Sequence, residues 1–467
     1  MPKQKLPAIE SFLHHLDRLS FVERVFESLR PRFRSMALFY GFEKISPSLL
    51  EDARLFAPLI KAGMFNERPP VIIKPTIGLE TMVRASGVLS VLRAYRSHKM
   101  NDLPQPIKLF FEGESFSAIA RQEHPIQRRD ELGLIVVGEE GPIAEAQIVQ
   151  VMWKTLLDMG IAPERITLVI NATGCSQCHS HFRSSLVSFL RNRAAGLCKN
   201  CKRSAKTLPT RILMCDEEKC GMISSHAPQI LDFLCERCKK HLRGFLEYLD
   251  ELGIPYYLDS RRFRSGMWAD TCLFEFALTP RPRQEQPEAV ENVAVGIKDG
   301  EANISEEAPL SAVTSVPPVA MPTKRGAVVA EGGRAARAAE LMGAKGLEVA
   351  AGTLFLDALV NAASYAAQEE EKPDVFLVQL GELARRRSLR ILEMLRLSRI
   401  TVRESLGRDA IKSQLKLAER FGSPLALILG QKEVIDKTII VREMDSGIQE
   451  TVLQEKMIDF LNRRLKK

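Results

Sequence analysis

Eight of the nine cysteines in this 467-residue chain fall between Asn171 and Leu242, in spaced pairs. They are Cys175/Cys178, Cys198/Cys201, Cys215/Cys220 and Cys235/Cys238, three pairs of the form C-x-x-C and one C-x4-C. A C-x-x-C turn brings two thiolates to one centre, and two such turns complete the tetrahedron that Zn2+ prefers. Eight thiolates therefore suit two closed four-thiolate sites. Closed sites read as structural, because a catalytic zinc keeps a position open for water or substrate. Spacing leaves the pairing undecided: adjacent pairs sharing a metal and alternate pairs cross-bracing both fit. His179, His181, His226 and His241 lie close enough in sequence to replace a thiolate. A disulfide framework is the competing reading. The polar start MPKQKLPAIE, unlike a secretory signal, speaks against it and for a cytoplasmic protein.

With 45% hydrophobic content over 467 residues, the chain can bury substantial cores in two to four domains. No apolar run approaches the ~20 residues that span a bilayer, so no membrane partner is expected. The formal charge of +8 is uneven: residues 374–467 hold 19 Lys+Arg against 13 Asp+Glu, or +6. A basic terminal module points to a polyanion, nucleic acid first, with a solvated helix face as the plain alternative.

The elements that must carry these features follow from periodicity. Residues 9–40 have helical spacing that Gly41 stops, and 42–56 read as a short strand and turn. PPVIIKPTIGLE and PQPIKLFFEGESF are strand-like runs, with a helix-like stretch from Glu80 to Tyr95 between them. Strands are predicted at ELGLIVVG, ITLVIN and TCLFEFAL, and a helix from Ala144 to Met159. Together they suggest an α+β domain on an antiparallel sheet, interrupted by the cysteine module. From Thr279 to Pro322 there are seven prolines, no aromatic residue and no periodicity, the signature of a disordered insertion. Its flanks look like strands, so it replaces a hairpin loop. After Asp374, strands and helices alternate in a mixed-sheet α/β module with a hairpin across 444–447.

ATGCSQCHSHFRSSLVSFL, LCKNCKRSAKTLPTRILMCDEEKC, LGIPYYL, QLKLAERFGSPLALILGQKEV and TIIVREMDSGIQETV together resemble histidyl-tRNA synthetases, which are class II aminoacyl-tRNA synthetases. The likeness covers nearly the whole chain apart from the insertion. It implies a class II synthetase-like catalytic domain, an antiparallel sheet with flanking helices, carrying a Cys-rich zinc-binding insertion, plus a C-terminal α/β anticodon-binding-type domain. The implied divisions are 1–170 and 251–365 for the core, the latter containing the disordered insertion 279–325. The cysteine module takes 171–250 and the anticodon-binding-like domain 373–467.

The catalytic signatures depart from the family's pattern. Motif 2, roughly Y-x-G-x-x-F-R-x-E, appears as LFFEGESFSAI: Phe111, Gly113 and Phe116 match, but Ser117 stands at the arginine and Ile119 at the glutamate. The G-R-x-R-x-F-x-Q segment falls on His124 to Glu131, with Pro125 and Gln127 at its arginines, and the register closes again at Leu132-Gly133. Motif 3, G-L-E-R-L, falls on FLDAL, placing Ala358 at the ATP-binding arginine. R-P-E-G-T becomes Lys74 to Gly78, with Thr76 at the glutamate. L-V-R-G-L-D-Y-Y becomes RFRSGMWA, which keeps Arg264, the one matched catalytic position, and replaces the acid and tyrosines by Met267, Trp268 and Ala269. The G-G-R-Y-D-G loop is reduced to Gly332-Gly333-Arg334.

Adenylate formation sets a carboxylate against a triphosphate, and arginine forks must neutralise charge on the α-phosphate. Losing one such stabiliser costs about 3 kcal/mol of transition-state binding. Rescue would need Lys74, Arg121, Arg128, Arg129 or Arg264 to take over. The resemblance with these losses implies a tRNA-binding, dimeric or heteromeric protein that lacks histidyl-adenylate formation, and it leaves open whether Mg2+-ATP and histidine are still bound. Arg408, Lys412 and Lys416, at i, i+4 and i+8, would form a basic stripe for tRNA phosphates. The alternatives are a divergent active histidine–tRNA ligase, or a regulatory subunit like the synthetase-like regulator of histidine biosynthesis, a family without the anticodon-binding domain.

Overall fold

The computed structural model describes residues 16–65, 68–74, 78–119, 125–215, 217–260, 268–279, 326–363, 372–406 and 410–465. Expectations for residues 9–15, Thr76, Arg121, Arg264, Met267, the 280–325 part of the insertion and Arg408 lie outside the described residues. Two compact units result, Met1–Ala367 and Gln368–Lys467.

The first unit opens with α1 (Ser20–Phe39), whose Val25, Phe26, Leu29, Phe33 and Ala37 recur every three or four residues and are buried. Residues 42–56 differ from the strand-and-turn expectation. They hold β1 (Glu43–Lys44) and β2 (Leu50–Asp52) and then start a helix, α2 (Ala53–Lys61). Asp52 caps it by accepting the Arg54 N–H, and Ala53, Phe56 and Leu59 bury one face. After β3 (Ile72–Ile73) the predicted helix from Glu80 divides as well. β-Branched Thr81 and Val83 flank buried Met82 in β4 (Thr81–Val83), which pairs with β2 and β3, and α3 (Gly87–Ser97) begins after it.

Two long strands follow, β5 (Ile107–Ala118) and β6 (Ile126–Val137), then α4 (Ile143–Asp158) and β7 (Ile166–Gly174). The cysteine module leaves from the end of β7 as α5 (Ser176–Arg191), α6 (Lys199–Ser204), α7 (Glu218–Ser224) and α8 (Glu236–Glu251). The chain returns through β8 (Tyr257–Leu258), β9 (Asp270–Leu278), β10 (Ala327–Arg334), α9 (Ala336–Leu341), β11 (Val349–Phe355) and α10 (Leu356–Ala363).

Eight of these strands make one sheet, in the order β1-β5-β6-β11-β10-β9-β7-β8. Its six central strands are antiparallel, but both edges correct the all-antiparallel expectation: β1 pairs parallel with β5, and β8 parallel with β7. Each edge strand is connected to its neighbour through helices rather than a hairpin, which is the connection a parallel pair requires. β9 and β10 pair antiparallel from Leu278 opposite Ala327, so the insertion stands in place of a hairpin loop. One face of the sheet packs on α1, α4, α8 and α10 through Phe33, Phe110, Met152, Phe245 and Phe274. The other packs on α2, α3 and α9 through Phe56, Leu92, Phe111, Ile135 and Ala351.

The second unit runs β12 (Val375–Gln379), α11 (Glu382–Leu397), β13 (Val402–Glu404), α12 (Ile411–Arg420), β14 (Leu425–Leu429), α13 (Gln431–Ile435), β15 (Thr438–Glu443), β16 (Gln449–Leu453) and α14 (Met457–Leu465). Its sheet order is β13-β12-β14-β15-β16, parallel in the first three strands and antiparallel after. α11 and α14 cover one face, and α12 packs on Phe376, Val378, Ala426 and Ile428 of the other. Among the described residues no helix is long and apolar enough to cross a membrane.

Candidate metal centres and substrate face

The eight paired cysteines gather into two clusters, Cys175/Cys178/Cys235/Cys238 and Cys198/Cys201/Cys215/Cys220, the sulfurs of each within 4.8 Å of one another. The pairing is nested: first pair with last, second with third. Neither the fully adjacent nor the alternating arrangement holds. The reason lies in the module's path, since the first pair follows β7 and the last pair starts α8, which brings the chain back to the same sheet.

Helix starts position the sulfurs. Cys175, Cys198 and Cys235 are the N-caps of α5, α6 and α8, and their partners Cys178, Cys201 and Cys238 lie three residues on, in the first turn. The C-x4-C pair reaches the same end differently, with Cys220 third in α7 after the Glu217 cap. Free N–H groups at helix starts aim at the sulfurs. Cys201 donates to Cys198 at 3.4 Å, Cys235 to Cys178 at 3.1 Å and Cys198 to Cys220 at 3.3 Å. The Cys201 N–H holds the Cys198 thiol down to about 7. Burial acts against the Cys175 thiol, yet the N–H groups of Cys178 and Gln177 bring it to about 7 too. Cys201 and Cys238 are pushed up, first by burial and then by the neighbouring sulfurs, so four thiolates at one centre need a cation. Tetrahedral Zn–S bonds of about 2.3 Å put sulfurs about 3.8 Å apart, and both clusters suit such an ion with no position left open. No histidine joins either cluster among the described residues. His241 instead hydrogen-bonds Glu145 at 2.7 Å. Cys272, the ninth cysteine, is buried in β9.

That histidine belongs to an anchor the sequence did not reveal. Arg334, left from the shortened G-G-R loop and 3% exposed, clasps both oxygens of fully buried Glu145 at 2.8 and 2.9 Å. It also donates to Glu348 at 2.8 Å and to the carbonyls of Glu139 and Gly141. Burial pushes the Glu145 carboxyl up, but His241 and Arg334 outweigh it and hold the group below its ordinary value. α8 is thereby tied to α4 beside a cleft of about 2080 Å3 lined by Cys175, Ser176, Lys240, Asp270 and Arg337 among others.

Strand register places the motif 2 and motif 3 positions. On the α2/α3 face, β5 presents Phe111, Gly113, Ser115 and Ser117 opposite Gly133, Glu131, Arg129 and Gln127 of β6, and Phe355 of β11 lies opposite Glu131. The matched residues pack against one another: a Cβ at Gly133 would fall 2.1 Å from the Phe111 ring, and one at Gly113 2.4 Å from the Arg84 guanidinium. Ser117 is buried and bridged by Pro70, and Ile119, past the strand end, accepts no such role because its side chain is apolar. Ala358 packs half-buried against the core of the opposite face. Glu131, whose carboxylate accepts the Ser115 hydroxyl and the Gly87 N–H, is pushed up by burial.

Among the candidate replacement cations, Lys74 pairs with Glu80 at 3.4 Å. Arg128 projects to the opposite face, where it joins Glu114 and donates to the Leu16 carbonyl. Arg129 is on the right face, but its guanidinium carbon lies 4.8 Å from the centre of the Phe355 ring. Burial, then Arg68, pushes its pKa down. In the second unit Lys412 and Lys416 are exposed on α12, which begins at Ile411.

Comparison with known proteins agrees with this geometry. Residues 374–464 match the anticodon binding domain family. The histidine–tRNA ligase of Halothermothrix orenii is 27% identical over 429 residues, 91% of this chain and 92% of that one. That of Thermodesulfovibrio yellowstonii is 24% identical over 427 residues, 91% of each. Apo histidyl-tRNA synthetase of S. aureus superposes with a TM-score of 0.66 at 22% identity, over 98% of this chain and 99% of that one. An ATP phosphoribosyltransferase regulatory subunit/histidyl-tRNA synthetase from Bacillus halodurans gives 0.56 at 12% identity, over 88% and 97%. The chain has the class II histidyl-tRNA synthetase fold, with an anticodon binding domain at its end.

Proposed function

We propose that this relative of the histidine–tRNA ligases binds tRNA and does not form histidyl-adenylate. The observation that carries the reading is the substrate face. Ser117 and Gln127 lie opposite each other on it, where the family's arginines would stand, and neither can hold positive charge. The basic groups nearby are otherwise engaged: Arg68 on Glu331 at 3.4 Å, Arg84 on the Glu114 and Pro47 carbonyls, Arg129 on Phe355. A triphosphate would meet buried Glu131 and Glu331 instead, so neither Mg2+-ATP nor histidine is held for chemistry.

In this reading each cysteine cluster holds a structural zinc that folds the module, and the basic second unit meets tRNA phosphates through Lys412 and Lys416. Phe39, 82% exposed, with Leu38 on α1 and Leu50, Ile72 and Ile73 in the three-stranded sheet, offers apolar surface for a dimer, with itself or with a complete synthetase. An active ligase is the second reading, favoured by Arg129 on the substrate face and by relatives matching nine-tenths of the chain. A regulatory subunit is third, and the anticodon binding domain argues against it.

Histidine-dependent exchange of pyrophosphate into ATP on zinc-loaded protein tests the first reading. No exchange above a no-histidine control is expected, while exchange would sink it and direct attention to Arg129. Separately, tRNA should bind with a steep salt dependence whose slope falls by about 2 in the K412E/K416E variant. An unchanged slope would remove those lysines from the interface.

A further inference from the structure

The motif 3 position that is glycine in G-L-E-R-L is Phe355 here, and its surroundings are unusual. Its ring is 3% exposed on the substrate face, directly across from Glu131. Two guanidinium groups lie over it, Arg129 at 4.8 Å and Arg68 at 5.4 Å from the centroid. Arg68 arrives on the segment that roofs the end of β5, where Pro70 bridges Ser117 and the Ala118 N–H donates to the Pro69 carbonyl at 2.7 Å. Arg68 is fixed by Glu331 at 3.4 Å, and Asp357, the second residue of α10, lies close enough to Arg129 for that charge to offset part of the burial that pushes the Asp357 carboxyl up. Like-charged guanidiniums repel, so holding two of them on one ring needs both the ring's π-face and the acids beside them.

A flat ring under arginine planes is also how proteins hold an unstacked nucleobase. We infer that Phe355 is a built-in plug that fills a slot for a purine base formed by Arg68, Arg129 and strand β11. The inference rests on the reading that this face no longer makes adenylate, and it adds that the base itself is excluded by the chain's own side chain. Loss of the phosphate ligands alone would weaken binding of ATP but leave adenosine able to enter. A plug excludes both.

The test is equilibrium dialysis of the full-length, zinc-loaded protein with radiolabelled adenosine and with ATP, comparing the unaltered chain, F355A, F355V and F355A/R129Q. Opening the slot should tighten adenosine at least tenfold in F355A, by a smaller factor in F355V, and ATP by about the same factor as adenosine, because the gain comes from the base. R129Q should reverse it. A folded F355A or F355V with no gain for either compound overturns the plug. So does submillimolar adenosine binding by the unaltered protein, a result that needs no variant to fold. Neither outcome touches the adenylate reading, which fails only if the unaltered protein shows histidine-dependent pyrophosphate exchange.

Discussion

The cysteine module and the substrate face belong to one folding unit and have fared oppositely. In the module all eight paired cysteines gather into two four-sulfur clusters, and helix starts aim N–H groups at the sulfurs. On the face, the framework of Phe111, Gly113 and Gly133 persists while the charge-bearing positions hold Ser117 and Gln127. Metal ligands in a closed site contribute folding free energy, because no site exists in the unfolded chain. Substrate ligands contribute none, and a buried arginine without its phosphate costs stability. On the proposed reading, the second group can be lost without unfolding the protein, but not the first.

The largest effect that could break this contrast is metal removal. Structural zinc supplies about 10–16 kcal/mol in small zinc-folded peptides, so chelation should unfold the module, with native mass spectrometry showing two zinc ions per chain before and none after. Nesting sharpens the expectation. C178S/C238S removes the site that joins the entrance of the module to its exit, and should release the whole of it to proteolysis. C201S/C220S should lose one ion and fray only the α6–α7 tip. Equal digestion of the two variants would remove the hierarchy.

Next in size is the anchor between module and core. R334M leaves the fully buried Glu145 carboxylate without its bidentate partner, at a cost of about 3–5 kcal/mol. For a unit of this size a fall in melting temperature of roughly 5 °C follows. A shift under 3 °C would mean that His241 suffices.

Much of this was legible in the sequence, and the exceptions are instructive. The four cysteine pairs, the central strands and the alternation of the second unit followed from spacing and periodicity. The nested pairing did not, because sequence spacing says which thiols are paired locally and not which loops close on the same sheet. Helix α2 was missed because its signal is a single Asp52 cap and three apolar positions spread over seven residues. Arg334 was visible only as the remnant of a loop. That it is buried depends above all on Glu145, 189 residues away in the chain. Phe355 could have been noticed as a bulky residue at a glycine position, but its two arginines come from strands and loops that only the register brings together.

A smaller effect concerns the back of the same sheet, where charge has been kept. Asp130, held by Arg18 at 2.9 Å and Arg30 at 3.3 Å, is nonetheless raised to about 6, first by burial and also by Glu114 and Asp357. The folded protein therefore binds this proton more tightly than the unfolded chain, whose aspartate titrates near 3.9. The stabilising contribution is complete below about pH 4 and is lost as pH rises to about 6. D130N should abolish that loss, so the stability of the unaltered protein relative to D130N should fall by about 2 kcal/mol between pH 4 and pH 7 in urea unfolding. Parallel profiles would show that Arg18 and Arg30 compensate burial fully.

The smallest expected effect decides the contrast most directly. If position 117 now serves packing, S117A should change stability by no more than about 0.5 kcal/mol, and should leave tRNA binding and pyrophosphate exchange at the level of the unaltered protein. Ser117 sits under Pro70 with little solvent access, so removing a neutral hydroxyl leaves no charge stranded. The converse substitution is the more severe. S117R returns the family's residue, yet a guanidinium in that covered position has no phosphate to meet and must displace the 68–70 roof, costing several kcal/mol as an unpaired buried charge. A destabilised S117R beside a silent S117A would mean that the face has closed around the loss. A well-folded S117R with restored exchange would mean that the scaffold still waits for its ligands, and the two regions would then differ in occupancy rather than in kind.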